Sequence, residues 1–205
     1  MTPIQLTRRV ALLGGAVALG GCGAVSALNS AASPLDTYDL IPPAGSTAGR
    51  QTSRTLLLAL PDASATLSTD RIMIRPNAVA ITYLPQARWP DELPRVVQSL
   101  LVRSISATGR IGYVGRSDGG PVPDSALLTR IDAFDVSVGA DGSFTAAIDI
   151  TLTVLDDRDQ RVIGTQRFSQ SVQVANDNPV TIVAGFQALV DTILPAMSNW
   201  TLARA

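Results

Sequence analysis

The chain has 205 residues, 46% of them apolar, with 17 acidic against 16 basic side chains, one cysteine and no histidine. A near-neutral balance of this kind leaves no nucleic-acid footprint. The missing histidine, together with a single thiol, removes almost every zinc ligand set and the commonest general base.

The first 21 residues have the parts of an export signal. Arg8 and Arg9 supply a positive start, and Val10 to Gly21 contain only Val, Ala, Leu and Gly. Twelve apolar residues fall short of the roughly 20 that a helix needs to cross a bilayer, so the run predicts a cleaved signal over residues 1–21. Leu19-Gly20-Gly21-Cys22 resembles the bacterial lipobox, and Cys22 is the only cysteine in the chain. By that resemblance Cys22 becomes a triacylated N-terminus. Two or more acyl chains hold a membrane stably where one does so marginally. Gly23 follows the cysteine instead of the aspartate that resembles an inner-membrane retention signal, which favours the periplasmic face of the outer membrane of a Gram-negative cell. Residues 22–37 are small, polar and without period, as a tether is. The domain then occupies residues 38–205, about 170 residues, long enough for one core.

Along that domain, Tyr38 to Leu40 predicts a short strand ended by Pro42-Pro43, and Arg54 to Leu60 predicts a strand buried on both faces. Asp70 to Arg75 and Ala78 to Leu84 alternate about Pro76-Asn77 and predict a hairpin. Pro90 opens a helix whose apolar stripe is Leu93, Val96, Val97, Leu100, Leu101 and Ile105, with Gly109 as its stop. Phe134, Val136 and Val138 alternate with polar residues, as do the even positions from Phe144 to Val154, with "GADG" and "DDRD" as turns. Val162, Phe168, Val172 and Val174 are expected to continue the same face of one antiparallel meander. A final helix over about Val180 to Trp200 carries Val183, Phe186, Val190, Ile193, Met197 and Trp200 in a heptad-like stripe, which Pro195 should interrupt or kink. The fold class is therefore α+β: one two-layer domain with a mostly antiparallel sheet and two helices on one face.

An acylated Cys22, "YDL", an apolar strand, "DRIMIR" and "RWPDELPRVVQSLL", in that order, resemble the ABC-type transport auxiliary lipoprotein family, in its PqiC-like form. Tyr38 and Leu40, Asp70, Arg71 and Arg75, and Arg88 and Trp89 are the residues that carry the likeness. The resemblance implies a non-catalytic accessory of an ABC system that moves lipid or other hydrophobic molecules between membranes. Its partner would be a periplasmic protein bearing MCE domains, and ring-like self-association would suit a partner of ring-forming conduits. No Walker-type loop makes this chain the ATPase. Fold and tether do not by themselves name a partner, so two other readings stay open. One is a structural or assembly lipoprotein of another envelope complex. The other is a direct carrier holding lipid in a groove between the last helix and the sheet.

Arg88 and Trp89 form the candidate partner contact, because Arg and Trp are enriched at interface hot spots. The competing role has Trp89 packing the helix against the core while Arg88 pairs with an acid such as Asp91 or Glu92. Asp118, Asp124, Asp156, Asp157 and Asp159 lack the spacing of a twelve-residue calcium loop. Every basic residue is arginine, so a lysine nucleophile is absent too. A carboxylate pair is the catalytic arrangement that composition leaves open. The expectation is a protein that is not an enzyme and has no cofactor and no metal.

Overall fold

The computed structural model describes residues 34–43 and 45–205. The signal, Cys22 and most of the expected tether lie outside the described residues. In chain order the elements are β1 (Asp36–Thr37), β2 (Thr52–Leu58), β3 (Asp62–Ala63), β4 (Arg71–Asn77), β5 (Ala80–Arg88), α1 (Leu93–Ser106), β6 (Ile111–Arg116), β7 (Ser125–Val138), β8 (Phe144–Asp156), β9 (Val162–Val174) and α2 (Pro179–Leu202).

Strand β7 organises the sheet. One of its edges pairs antiparallel with β8 from Ser125–Asp156 to Val138–Phe144. Its other edge receives three strands in succession, all parallel: β2 beside Ser125 to Leu127, β3 beside Arg130 and Ile131, and β4 beside Asp135 to Ser137. Strand β9 extends the antiparallel side beyond β8, and the β4–β5 hairpin extends the other. The two remaining pairings, β2–β6 and β1–β5, are short and parallel. The sheet does not close into a barrel, and its long pairings are the antiparallel ones, as the alternation predicts.

A bulge decides which side chains of β7 face inward. Ile131 pairs with Ile150 and Ala133 with Asp149, so Asp132 is the extra residue. Before it the buried positions are odd (Ser125, Leu127, Thr129, Ile131), and after it the buried apolar ones are even (Phe134, Val136), Asp135 between them being covered on the other face by its ion pair with Arg75. An inserted residue reverses the parity of a pleated strand. A second irregularity, where Val154 pairs with Gly164 but Leu155 with Val162, turns Val162 off the apolar face and leaves it exposed. Phe168, Val172 and Val174 do continue that face, partly buried.

Both helices cover this apolar face. The stripe of α1 is buried as expected, but the helix begins at Leu93 and not at Pro90, with Pro94 in its first turn. Gln98 secures it to the sheet by donating to the Leu58 carbonyl at 3.0 Å, and Gly109 follows at φ 62°. In α2, Asn178 caps the start by accepting from the Val180 amide at 2.9 Å. The helix runs through Pro195 to Leu202. Phe186, Val190, Ile193 and Met197 are buried against the sheet, and Trp200 packs edge-on to Phe168 at 6.0 Å. Helix α2 has the length and apolarity of a bilayer span, yet the same stripe is taken up by the sheet. The helices also meet each other, through a 2.9 Å hydrogen bond between Ser104 and Ser198.

Three further elements depart from the sequence reading. The first strand is Asp36–Thr37 and not Tyr38–Leu40, because Leu40 turns into the core at 0% exposure and the Asp39 side chain accepts from its amide. The hairpin turn lies at Ala78-Val79, two residues beyond Pro76-Asn77, where the Asn77 side chain accepts from the amides of Val79 and Ala80. Strand β6, with two glycines in six residues, carries no periodic signal in the sequence. Gly112 is required there, because a Cβ would lie 2.6 Å from the Ser53 carbonyl oxygen of β2.

Trp89→Ala is expected to cost about 3–5 kcal/mol in urea denaturation of the folded domain, the usual cost of emptying a large buried aromatic site. A Cβ at Gly185 would overlap Val174 Cγ1 of β9, so Gly185→Ala should lift α2 from the sheet and cost about 1–3 kcal/mol in the same measurement.

Candidate interaction surface

Histidine and lysine are missing from the whole chain, and among the described residues no three His, Cys, Asp or Glu side chains gather as metal ligands would. Three surface features stand out among the described residues: the corner where Tyr38 to Ile41 meet the sheet, a charged sheet face, and an open sheet edge.

At the entry corner the two members of the Arg88-Trp89 pair separate. Trp89 is 1% exposed. Its ring meets Phe134 and Phe186 edge-on at 5.8 and 5.6 Å, and those two rings stack at 4.8 Å. Arg88 stays nearly half exposed, and its acid partner is Asp70 at 3.7 Å, not Asp91 or Glu92. The change of partner follows from the backbone, since the Trp89 amide donates to the Asp70 carbonyl at 2.7 Å and sets the two strand ends side by side. Arg88 also reaches Thr37 Oγ1 at 3.2 Å, and its carbonyl accepts from the Tyr38 amide at 2.9 Å. Three residues on, the Gln187 side chain of α2 clasps the main chain of Ile41. Its Oε1 accepts from the Ile41 amide at 2.9 Å and its Nε2 donates to the Ile41 carbonyl at 2.8 Å. The first described residues are thus bonded to the sheet by Arg88 and to the helical layer by Gln187.

The sheet face opposite the helices is charged. Arg75 bonds Asp135 at 3.0 Å, Arg130 grips both oxygens of Asp132, and Arg167 grips both oxygens of Asp149. Thr151 adds a hydrogen bond to Asp132 at 3.1 Å. The hydrogen bond from Arg130, with that from Thr151, holds the Asp132 carboxyl below its ordinary value. The Asp149 carboxylate in turn raises Arg167. Arg75–Asp135, Arg167–Asp149 and Thr151–Asp132 link neighbouring strands, while Arg130–Asp132 lies within β7 and, being partly exposed, contributes about 0–1 kcal/mol. Beside this face lies the free edge of β9, thirteen residues whose ladder partner among the described residues is β8 alone.

A family model described as the ABC-type transport auxiliary lipoprotein component matches residues 38–198. The chain belongs to this family. A protein of Bradyrhizobium diazoefficiens is 26% identical over 176 residues, which are 81% of this chain and 44% of that protein. The chain therefore spans less than half the length of that relative. The crystal structure of a Xanthomonas campestris protein superposes with a TM-score of 0.73 at 22% identity, covering 82% of this chain and 96% of the other. A second crystal structure gives 0.61 at 14% identity, covering 83% and 98%. These two likenesses establish the fold. Within this auxiliary lipoprotein, the Arg88-Trp89 pair divides into an exposed arginine and a buried tryptophan. The corner formed by Thr37, Asp70 and Gln187 had no such signal, because its members lie up to 150 residues apart.

Asp132 supplies a pH test. Its folded carboxyl titrates below the unfolded one, so the stability it adds is present above about pH 4 and is lost as pH falls through the folded value. Asp132→Asn should flatten the acid limb of the stability curve between about pH 5 and pH 3 by less than about 1 kcal/mol, read as urea midpoint against pH. Gln187→Ala should raise the hydrogen-exchange rate of the Ile41 amide while leaving the exchange of β8 amides unchanged.

Proposed function

We propose that this auxiliary lipoprotein is a non-catalytic, Cys22-anchored component of an ABC transport system. It would dock a periplasmic MCE-domain protein at the outer membrane for the passage of lipid or another hydrophobic molecule. The observation that carries the reading is the family match over nearly the whole folded domain. Two features of the structure support it. The chain that would emerge from the anchor is bonded to both layers of the domain at Arg88 and Gln187, so a pull on a tether would be borne by the fold. The exposed chemistry is that of a contact surface, a ladder of ion pairs beside an open strand edge, which also suits association of copies into a ring. Direct carriage of lipid under α2 gains no support, because the apolar stripe that motivated it is packed on the sheet.

Within the Arg88-Trp89 pair, Arg88 is the member exposed enough to meet a partner, and Trp89 acts through the fold. The test is purification of the full-length protein from its own cells in mild detergent, read by mass spectrometry, with Arg88→Ala for comparison. Recovery of an MCE-domain protein by the wild type is expected, with weaker recovery by the variant. Recovery of a different envelope assembly in its place would overturn the role. Separately, Cys22→Ala should release the protein from the membrane fraction, and unchanged retention would overturn the anchor.

A further inference from the structure

Six arginines of the folded domain face an aspartate: Arg75, Arg88, Arg130, Arg158, Arg161 and Arg167. Arg50, Arg54 and Arg110 do not, and these three line one cleft of about 310 Å³ between the start of β2 and the last turn of α2. That volume is at the low end of the roughly 300–1,000 Å³ usual for ligand pockets. Thr52, Leu202 and Ala203 complete its walls, and no carboxylate side chain lines it. Ala205 borders it as well. The cleft lined by Arg95, Arg103 and Arg116 differs in kind, since Asp39 and Asp91 line it too.

Arg110 shows that the cleft is built and not a chance meeting of surface side chains. It is 8% exposed, and Nη1 donates to Asn199 Oδ1 of α2 at 2.8 Å. Its Nε is shielded from solvent yet has no hydrogen-bond partner. A buried charged donor without an acceptor is costly. The guanidinium lies against the main chain at Gly49, where φ is +128° and a Cβ would sit 2.5 Å from Nη2. Glycine therefore serves both the backbone turn and the close approach. The C-terminal end of α2 offsets about half a charge, against three guanidiniums.

We propose that this cleft binds an anionic group of phosphate chemistry, with Arg50, Arg54 and Arg110 as its donors. Guanidinium forks match phosphate oxygens in paired hydrogen bonds, and three of them supply the charge and the geometry. The group is either the head of a phospholipid or free phosphate. The inference stands apart from the docking role, because the cleft lies on residues that role does not use.

The full-length protein in phosphatidylcholine nanodiscs, titrated with inorganic phosphate by calorimetry at constant ionic strength, tests it. Saturable binding is expected, weakened about tenfold or more in Arg50→Gln/Arg54→Gln, as the loss of charge-assisted bonds predicts. Neither residue is buried, so that variant should keep the wild-type near-ultraviolet circular dichroism. Arg110→Gln should weaken binding further. Nanodiscs doped with phosphatidylglycerol separate the two sources: competition with phosphate identifies a lipid head group, and an unchanged titration identifies free phosphate. No saturable binding by the wild type, or equal binding by the folded Arg50→Gln/Arg54→Gln variant, would overturn the proposal.

Discussion

Three aromatic rings hold the two layers of this domain in register. Trp89 comes from the junction of β5 and α1, Phe134 from the middle of β7, and Phe186 from α2, and each touches the other two. Edge-on and stacked contacts of this kind are favourable beyond the area they bury, by about 0.5–1.5 kcal/mol a pair. Phe134 can take part because the bulge at Asp132 has just turned β7 over, bringing an even position inward where odd ones faced in before. Without that extra residue, Phe134 would point to the charged face and Asp135 into the helices. The aromatic cluster and the bulge are in this sense one constraint.

From that centre the surface chemistry follows. Once Trp89 is committed to the core, its neighbour Arg88 must point outward at the strand end, and the backbone bond to Asp70 decides which acid it meets. Once the apolar side chains of β7 and β8 face the helices, their alternate positions place Arg130, Asp132, Asp149 and Thr151 on the opposite face, where long arginines bridge strands. The helices cover one face only, and β9 lies at the margin of the sheet. A domain of this plan has its charged chemistry on its outside.

The arginine cleft belongs to a different region of the molecule. It lies where β2 begins and α2 ends, with Arg110 held between them by Asn199. Three guanidiniums gather here with no aspartate or glutamate in the lining, and that charge is left for something outside the chain. The arginines arrive there from two places in the sequence, Arg50 and Arg54 about the start of β2 and Arg110 just before β6, and the cleft exists only because these segments close on the helix end.

The sequence by itself determined what depends on local pattern. Alternation in β7 to β9, the helical stripes of α1 and α2, the turns at Gly139 to Gly142 and Asp156 to Asp159, and the α+β class all follow from spacings of two or three to four residues. Nearness in sequence cannot report the rest, which only the tertiary structure decided. The parallel pairing of β2, β3 and β4 along one edge of β7 has no local signature, since parallel neighbours are joined by long connections, and neither the two-residue β3 nor the glycine-bearing β6 shows a period. The bulge at Asp132 and the slip at Val162 each change one residue in a ladder and so reverse a face that pattern alone assigns to the other side. Trp89 in the core, Arg88 on Asp70 and Arg110 in its cleft were settled by contacts between residues 18 to 97 positions apart. Packing and long-range hydrogen bonds choose among such partners, and a chain read one residue at a time contains the candidates without the choice.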